Sequence, residues 1–257
     1  MSDENSVRPG QLILVPSVIT LAVTLLRLLG ELQGWSPMLF SRAAGGGGSL
    51  VGIAWLVPVF GAWFGWKLAR AGQGPGAIGR ALGLAILAFA ILPVLGFAAS
   101  ALGMSGTSMS TFAVYVVGSI VGLVVGLRAW PALGRTLLAY AFAARVPVVL
   151  VMLAAILGNW GTHYDAPAPG LPEMAPFAKW FAIGVLPQMT VWIWFTVAVG
   201  SLVGIVAGAI ARRGRAAARA SSHSPGRRLD PSRSSHAPEP DWLGAPGRRG
   251  APSALRG

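Results

Sequence analysis

The chain has 257 residues, of which 54% are hydrophobic and only 11% charged, and its mean hydropathy is +0.65. An ordinary soluble domain carries about 25% charged residues, so the charges are too few to cover a globular surface. That argues against a soluble enzyme and against an ordinary nucleic-acid-binding domain, and the lack of cysteine removes disulfides and thiolate metal sites.

The apolar residues come in long runs. A helix needs about 20 of them to cross a hydrocarbon core of roughly 30 Å. Six runs qualify: 11–30, 50–67, 81–103, 111–128, 136–159 and 187–211. The expected fold class is all-α: a polytopic integral membrane helix bundle with six transmembrane helices. Residues 1–10 are read as a cytoplasmic N-terminal segment. That leader holds Asp3 and Glu4 against Arg8, the wrong charge for a signal peptide, so the first span is read as retained.

Breaks between the runs follow turn chemistry. Gly45 to Ser49 is read as a spacer before the second span, and Gly72 to Gly76 with Pro75 precedes the third. Pro131 ends the fourth span, because a residue before proline leaves the helical region. Gly161 to Pro176 carries four prolines and is read as an irregular loop. Residues 177–186 are read as a short interfacial helix with Lys179 and Trp180 at the headgroups. The alternative is one long helix kinked at Pro187.

Orientation follows from the basic residues. One set of loops holds Arg8, Lys67, Arg70, Arg80, Arg128, Arg135, Arg212, Arg213, Arg215 and Arg219; the other holds Arg42 and Lys179. The positive-inside rule then puts both termini in the cytoplasm. Eighteen of the twenty basic residues are arginine, a codon signature of a GC-rich genome, so a bacterial inner membrane is the expected location. Residues 212–257 hold ten Arg, three acidic residues and six Pro. They are read as a disordered basic tail. Its first turns, to Ala220, continue the last helix and set Arg212, Arg213, Arg215 and Arg219 against anionic lipid headgroups. No nucleic acid is expected, since the tail lacks aromatic interleaving.

Glycines mark packing faces. Gly118, Gly122 and Gly126 lie four apart, as do Gly200, Gly204 and Gly208. Such faces let helix backbones approach, within one chain or in a homo-oligomer. The strings 118–126 and 200–208 are alike. Either spans three and four repeat as five and six, or glycine–valine composition produces the match.

Ionisable groups inside a membrane are where function concentrates. Ser17, Thr20, Thr24, Arg27 and Glu31 are spaced 3, 4, 3 and 4 and form one polar stripe. Arg145 sits deep in the fifth span, where an arginine costs about 2.5–3.5 kcal/mol. Its candidate partners are Tyr140, Gln188, Glu31, freed carbonyls, or an anionic ligand suited to the guanidinium fork. The outer loop gathers His163, Tyr164 and Asp165. No catalytic motif, metal-ligand pattern or cofactor fingerprint is present. One histidine outside the tail cannot build a zinc site, so neither metal nor cofactor is expected.

The strings GRALGLAILAFAILPV and GRTLLAYAFAARVPV are similar to Yip-type membrane proteins, each a basic loop leading into an apolar helix with a proline. The resemblance implies a non-enzymatic bundle tied to membrane organisation and carries no residue roles. Three functions remain in view. The first is a non-enzymatic membrane component that binds partners or lipid. The second is a small-solute or anion transporter with a path near Arg27, Glu31 and Arg145. The third is an outer-face enzyme using His163 with Glu31 or Asp165. The composition leans against the enzyme.

Overall fold

The computed structural model describes residues 9–46, 49–106, 108–167 and 170–222. All described secondary structure is helical. Helix α1 spans Pro9–Leu32, α2 Leu56–Arg70, α3 Ile78–Ala101, α4 Met109–Ala129 and α5 Pro131–Gly158. Two short helices, α6 (Pro176–Lys179) and α7 (Leu186–Met189), flank a π-helical segment Trp180–Val185, and α8 runs Val191–Ser222. The compact unit ends at Ala218, and the packing below belongs to it.

Five helical stretches are long and apolar enough to cross a membrane: Gly10–Leu32, Ile78–Ala101, Met109–Ala129, Pro131–Gly158 and the run Pro176–Gly214. The sequence reading of 50–67 as a sixth full span needs correcting. Residues 50–55 form bends and turns, and helix α2 has only 15 residues. Gly52 in that stretch lowers helix propensity. Pro131 does separate α4 from α5, and it stands at the first position of α5, where its missing N–H costs nothing.

The reading of 177–186 as a separate helix also changes. The chain is helical from Pro176 onward, with a π-helical turn before Pro187 and a distorted backbone at Thr190 (φ −115°, ψ −75°). Proline 187 has no N–H to continue an α-helical ladder. The backbone answers by taking an extra residue: Leu186 N–H bonds back to the Phe181 carbonyl, a π register. Helical backbone continues to Ser222, past the start assigned to the tail, and residues 223–257 lie outside the described residues.

Both glycine triplets pack inside the chain. A Cβ on Gly61 would lie 2.7 Å from the Gly200 Cα, and one on Gly65 would lie 2.0 Å from the Gly204 carbonyl oxygen. Helices α2 and α8 therefore touch backbone to backbone. Gly208 abuts the Trp130 ring, Gly118 abuts Leu95, and Gly122 abuts the Trp194 indole. The core centres on α5, where Leu133, Leu137, Tyr140 and Ala144 meet Phe60, Phe64 and Leu68 of α2 and Val197 and Ile205 of α8.

The two ends of the bundle differ. At one end, the loops after α1 and after α5 meet, since His163 bonds to Glu31. At the other, the Trp130 indole donates to the Gln73 carbonyl at 2.7 Å and Arg212 donates to the Pro75 carbonyl at 2.7 Å.

Candidate functional site

The polar stripe of α1 turns inward. Thr20, Thr24, Arg27 and Glu31 are all buried, while Leu14, Val15, Val18, Leu25 and Leu29 on the other side are exposed. Each stripe member is occupied. Thr20 donates to the Pro16 carbonyl and shares a 2.7 Å hydrogen bond with the Tyr140 hydroxyl. Thr24 donates to the Thr20 carbonyl. The Arg27 Nε donates to Glu31 at 2.9 Å, and its Nη2 donates to the Ser41 and Gly46 carbonyls, both at 3.1 Å. Arg42, from the following loop, donates to the Glu31 backbone carbonyl. Ser17 is the exception, since its buried hydroxyl has no partner.

The glycine run is more than a spacer. Gly46 (φ +73°) lies over the cluster, where a Cβ would stand 3.1 Å from His163 Cδ2 and 3.3 Å from Arg27 Nη1. A side chain there would meet both strain and crowding.

The loop after α5 completes the cluster. Asn159 takes the left-handed conformation that closes the helix (φ 48°). The Asp165 carboxylate then accepts from Gly161 N–H, Thr162 N–H and the Thr162 hydroxyl. Asp165 is thus a loop fastener. The fastened loop delivers His163 to Glu31, whose carboxylate accepts the His163 backbone N–H at 2.8 Å and contacts its Nδ1 at 2.5 Å. Burial holds the His163 imidazole below its ordinary value, outweighing the hydrogen bond to Glu31, and the nearby Arg27 charge acts in the same direction as burial. A neutral imidazole donates Nδ1–H to the carboxylate and leaves Nε2 as an acceptor. Tyr164 packs beside it and donates to the Thr24 carbonyl at 3.2 Å. Burial pushes its phenol up, which keeps it a neutral donor.

Arg145 is the fifteenth of the 28 residues of α5, and only 4% of it is exposed. Its Nη1 donates to the Gln188 side-chain oxygen at 3.3 Å, and its guanidinium carbon lies 4.5 Å from the centre of the Trp192 ring. Its Nε has no partner. Among the described residues no carboxylate forms an ion pair with it. Gln188 and Trp192 are four apart, one on each side of the distortion at Thr190, so the π turn and the break set both partners against α5.

These groups surround one cavity of about 960 Å³. Arg27, Thr24, Arg145, Gln188, His163, Tyr164 and Trp192 line it. The rest of its wall is mainly hydrocarbon and aromatic, including Val23, Ile53, Met109, Phe112, Val148, Met152, Leu171 and Phe181. Of the residues singled out from sequence, Arg27, Arg145, Gln188, His163 and Tyr164 reach this wall. Glu31 stands behind it as the partner of Arg27 and His163. Tyr140 is elsewhere: it bonds Thr20 and packs edge-on against Phe60 and Phe64. Trp192, Gly46 and Gly52 were not singled out. Trp192 is one of ten tryptophans in an apolar chain, so only its four-residue spacing from Gln188 could have drawn notice.

The arrangement suits binding better than chemistry. Each of the three described hydroxyls on the wall, those of Thr24, Ser49 and Tyr164, donates to a backbone carbonyl. None is held by His163 as an activated nucleophile. No group of three metal-ligating side chains occurs among the described residues.

Comparison with protein-family models, with curated proteins and with solved structures finds no match. The Yip-type resemblance therefore gains no support.

Proposed function

We propose that the chain is a multi-pass membrane protein that binds an anionic ligand at Arg145, in a cavity opening at the outer end of the bundle. One observation carries this reading: Arg145 is a buried cation with no counter-ion among the described residues, on the wall of a large cavity. A buried charge left alone costs several kcal/mol. Chains keep such a charge where something pairs with it, and here the pair is the ligand.

The carrier reading is less well supported. It needs the polar stripe of α1 to continue as a wet path below the cavity. There the Thr20–Tyr140 bond and the rings of Phe60 and Phe64 fill the space. The membrane assignment rests on the five long apolar helices. The outward direction rests on the basic loops at the opposite end.

Native mass spectrometry of the purified protein beside Arg145→Leu tests the reading. The wild type should retain an anionic adduct that a folded Arg145→Leu protein lacks. An adduct retained by the variant, or no adduct on either with equal thermal stability, would make Arg145 structural.

A further inference from the structure

The cavity's charge and its wall together narrow the ligand further, resting on the reading of Arg145 as an anion site. Arg27 is neutralised by Glu31 at 2.9 Å. His163, with its Nδ1 on the same carboxylate, is held neutral by burial. Arg145 is then the one uncompensated charge among the described residues of the wall. A ligand head with one negative charge would balance it. A second negative charge would sit in an apolar site with nothing to pair it. Near Arg145 the head would find the terminal guanidinium donors that Gln188 does not take, since the Nε itself is closed off from the open space.

The rest of the wall asks for hydrocarbon. Ile53, Phe112, Met152, Leu171 and Phe181 come from five separate parts of the chain, and all line the same space. At about 30 Å³ per liquid water, the space equals roughly thirty waters. Water filling it would find few polar partners, and a buried water needs two to four. A small anion such as acetate or phosphate would satisfy Arg145 and leave that wall wet. An alkyl chain would dry it, at about 0.8 kcal/mol for each methylene buried. The size falls in the range of small-molecule pockets, about 300–1,000 Å³, which suits one chain.

We infer that the ligand is a single-charged anionic amphiphile, its carboxylate or phosphodiester head on Arg145 and one alkyl chain against the apolar wall.

The test uses the full chain, stripped of lipid by detergent exchange and titrated under native mass spectrometry. The probes are oleate, lysophosphatidylglycerol, lysophosphatidylcholine, acetate and inorganic phosphate. One molecule of oleate or of lysophosphatidylglycerol should bind. Lysophosphatidylcholine, with an equal chain and no net charge, should bind about tenfold more weakly, the worth of one charge-assisted hydrogen bond. Acetate and phosphate should not bind in the same range. Arg145→Gln should erase the preference for the anions. Ala182→Phe, which fills the wall and leaves the arginine in place, should weaken every chain-bearing probe. If that variant does not fold, Ala54→Phe serves. Preference between oleate and lysophosphatidylglycerol tells a carboxylate head from a phosphodiester.

Acetate or phosphate binding as tightly as oleate, and lost in Arg145→Gln, would overturn the amphiphile while leaving the anion site standing. Equal binding of the two lysolipids, unchanged in Arg145→Gln, would overturn both. So would the absence of binding by any probe.

Discussion

At the scale of single residues, the site depends on which groups carry charge. His163 is the group whose state changes near neutral pH. It faces Glu31 and Arg27 of α1, and Asp165 and Tyr164 of its own loop. Burial keeps its folded value below the ordinary 6.5. The unfolded chain therefore takes up the proton first as pH falls. Stability from this group is complete above about pH 6.5 and is lost as pH drops through the lowered folded value. Thermal unfolding followed from about pH 8 to 5 should show that loss in the wild type and a flatter profile in His163→Gln. A wild type that gains stability on acidification relative to the variant would mean that an imidazolium–Glu31 ion pair prevails over burial. The polar members of the cluster were legible in the sequence because ionisable residues stand out in apolar runs. Their pairing was not. Glu31 and His163 are 132 positions apart, and nothing in either segment names the other. Asp165 and Tyr140 were equally visible, yet one fastens a loop and the other fills the core. Residue type alone does not distinguish a wall from a buttress.

At the scale of elements, two sequence signals had physical consequences of different kinds. Glycines spaced by four allow close approach, and the Gly200, Gly204 and Gly208 face does meet other parts of the chain. Its partner is the Gly61–Gly65 pair in Phe-Gly-Ala-Trp-Phe-Gly-Trp, which aromatic neighbours concealed. Because Gly65 has a backbone oxygen 2.0 Å from where a Cβ would stand, Gly65→Ala must push α2 and α8 apart. Overpacking of this sort costs about 1–3 kcal/mol. Gly83 of α3 has nothing within 4 Å, so Gly83→Ala should leave stability unchanged or raise it by up to about 1 kcal/mol through helix propensity. Denaturant midpoints of the two variants check the contrast, and equal losses would mean that α2 and α8 are not in contact. The second signal was Pro187. Sequence placed a helix start there. The structure has a π turn ahead of the proline, and within it the Trp180 indole donates to the Val149 carbonyl at 2.9 Å. Local preference could not choose between a kink, a start and a π turn, since all three accommodate the missing N–H.

At the scale of the whole molecule, the number of crossings turns on α2. Its 15 residues reach about 22 Å, short of a core of roughly 30 Å. Its direction is nonetheless fixed by its ends. Leu56 follows the loop that covers Arg27, and Arg70 leads into the loop whose Gln73 carbonyl receives Trp130. A short helix can span by thinning the bilayer locally and by snorkelling its flanking residues. Lys67 lies over the Trp63 ring and Arg70 over Trp66, at 4.5 and 5.9 Å, and such pairs anchor at headgroups. Five described helices are long and apolar enough to cross, and α2 adds a sixth crossing only where the bilayer thins around it. The chain has no cysteine, so introduced ones report without background. Ser36→Cys, on the loop after α1, should react with an impermeant maleimide applied to intact cells. Gly76→Cys, on the loop after α2, should react only after permeabilisation. If both react from the same side, α2 does not cross. The alternation of basic loops would then fail at its second step, and the cavity's outward direction would have to rest on the position of the loop after α5 alone.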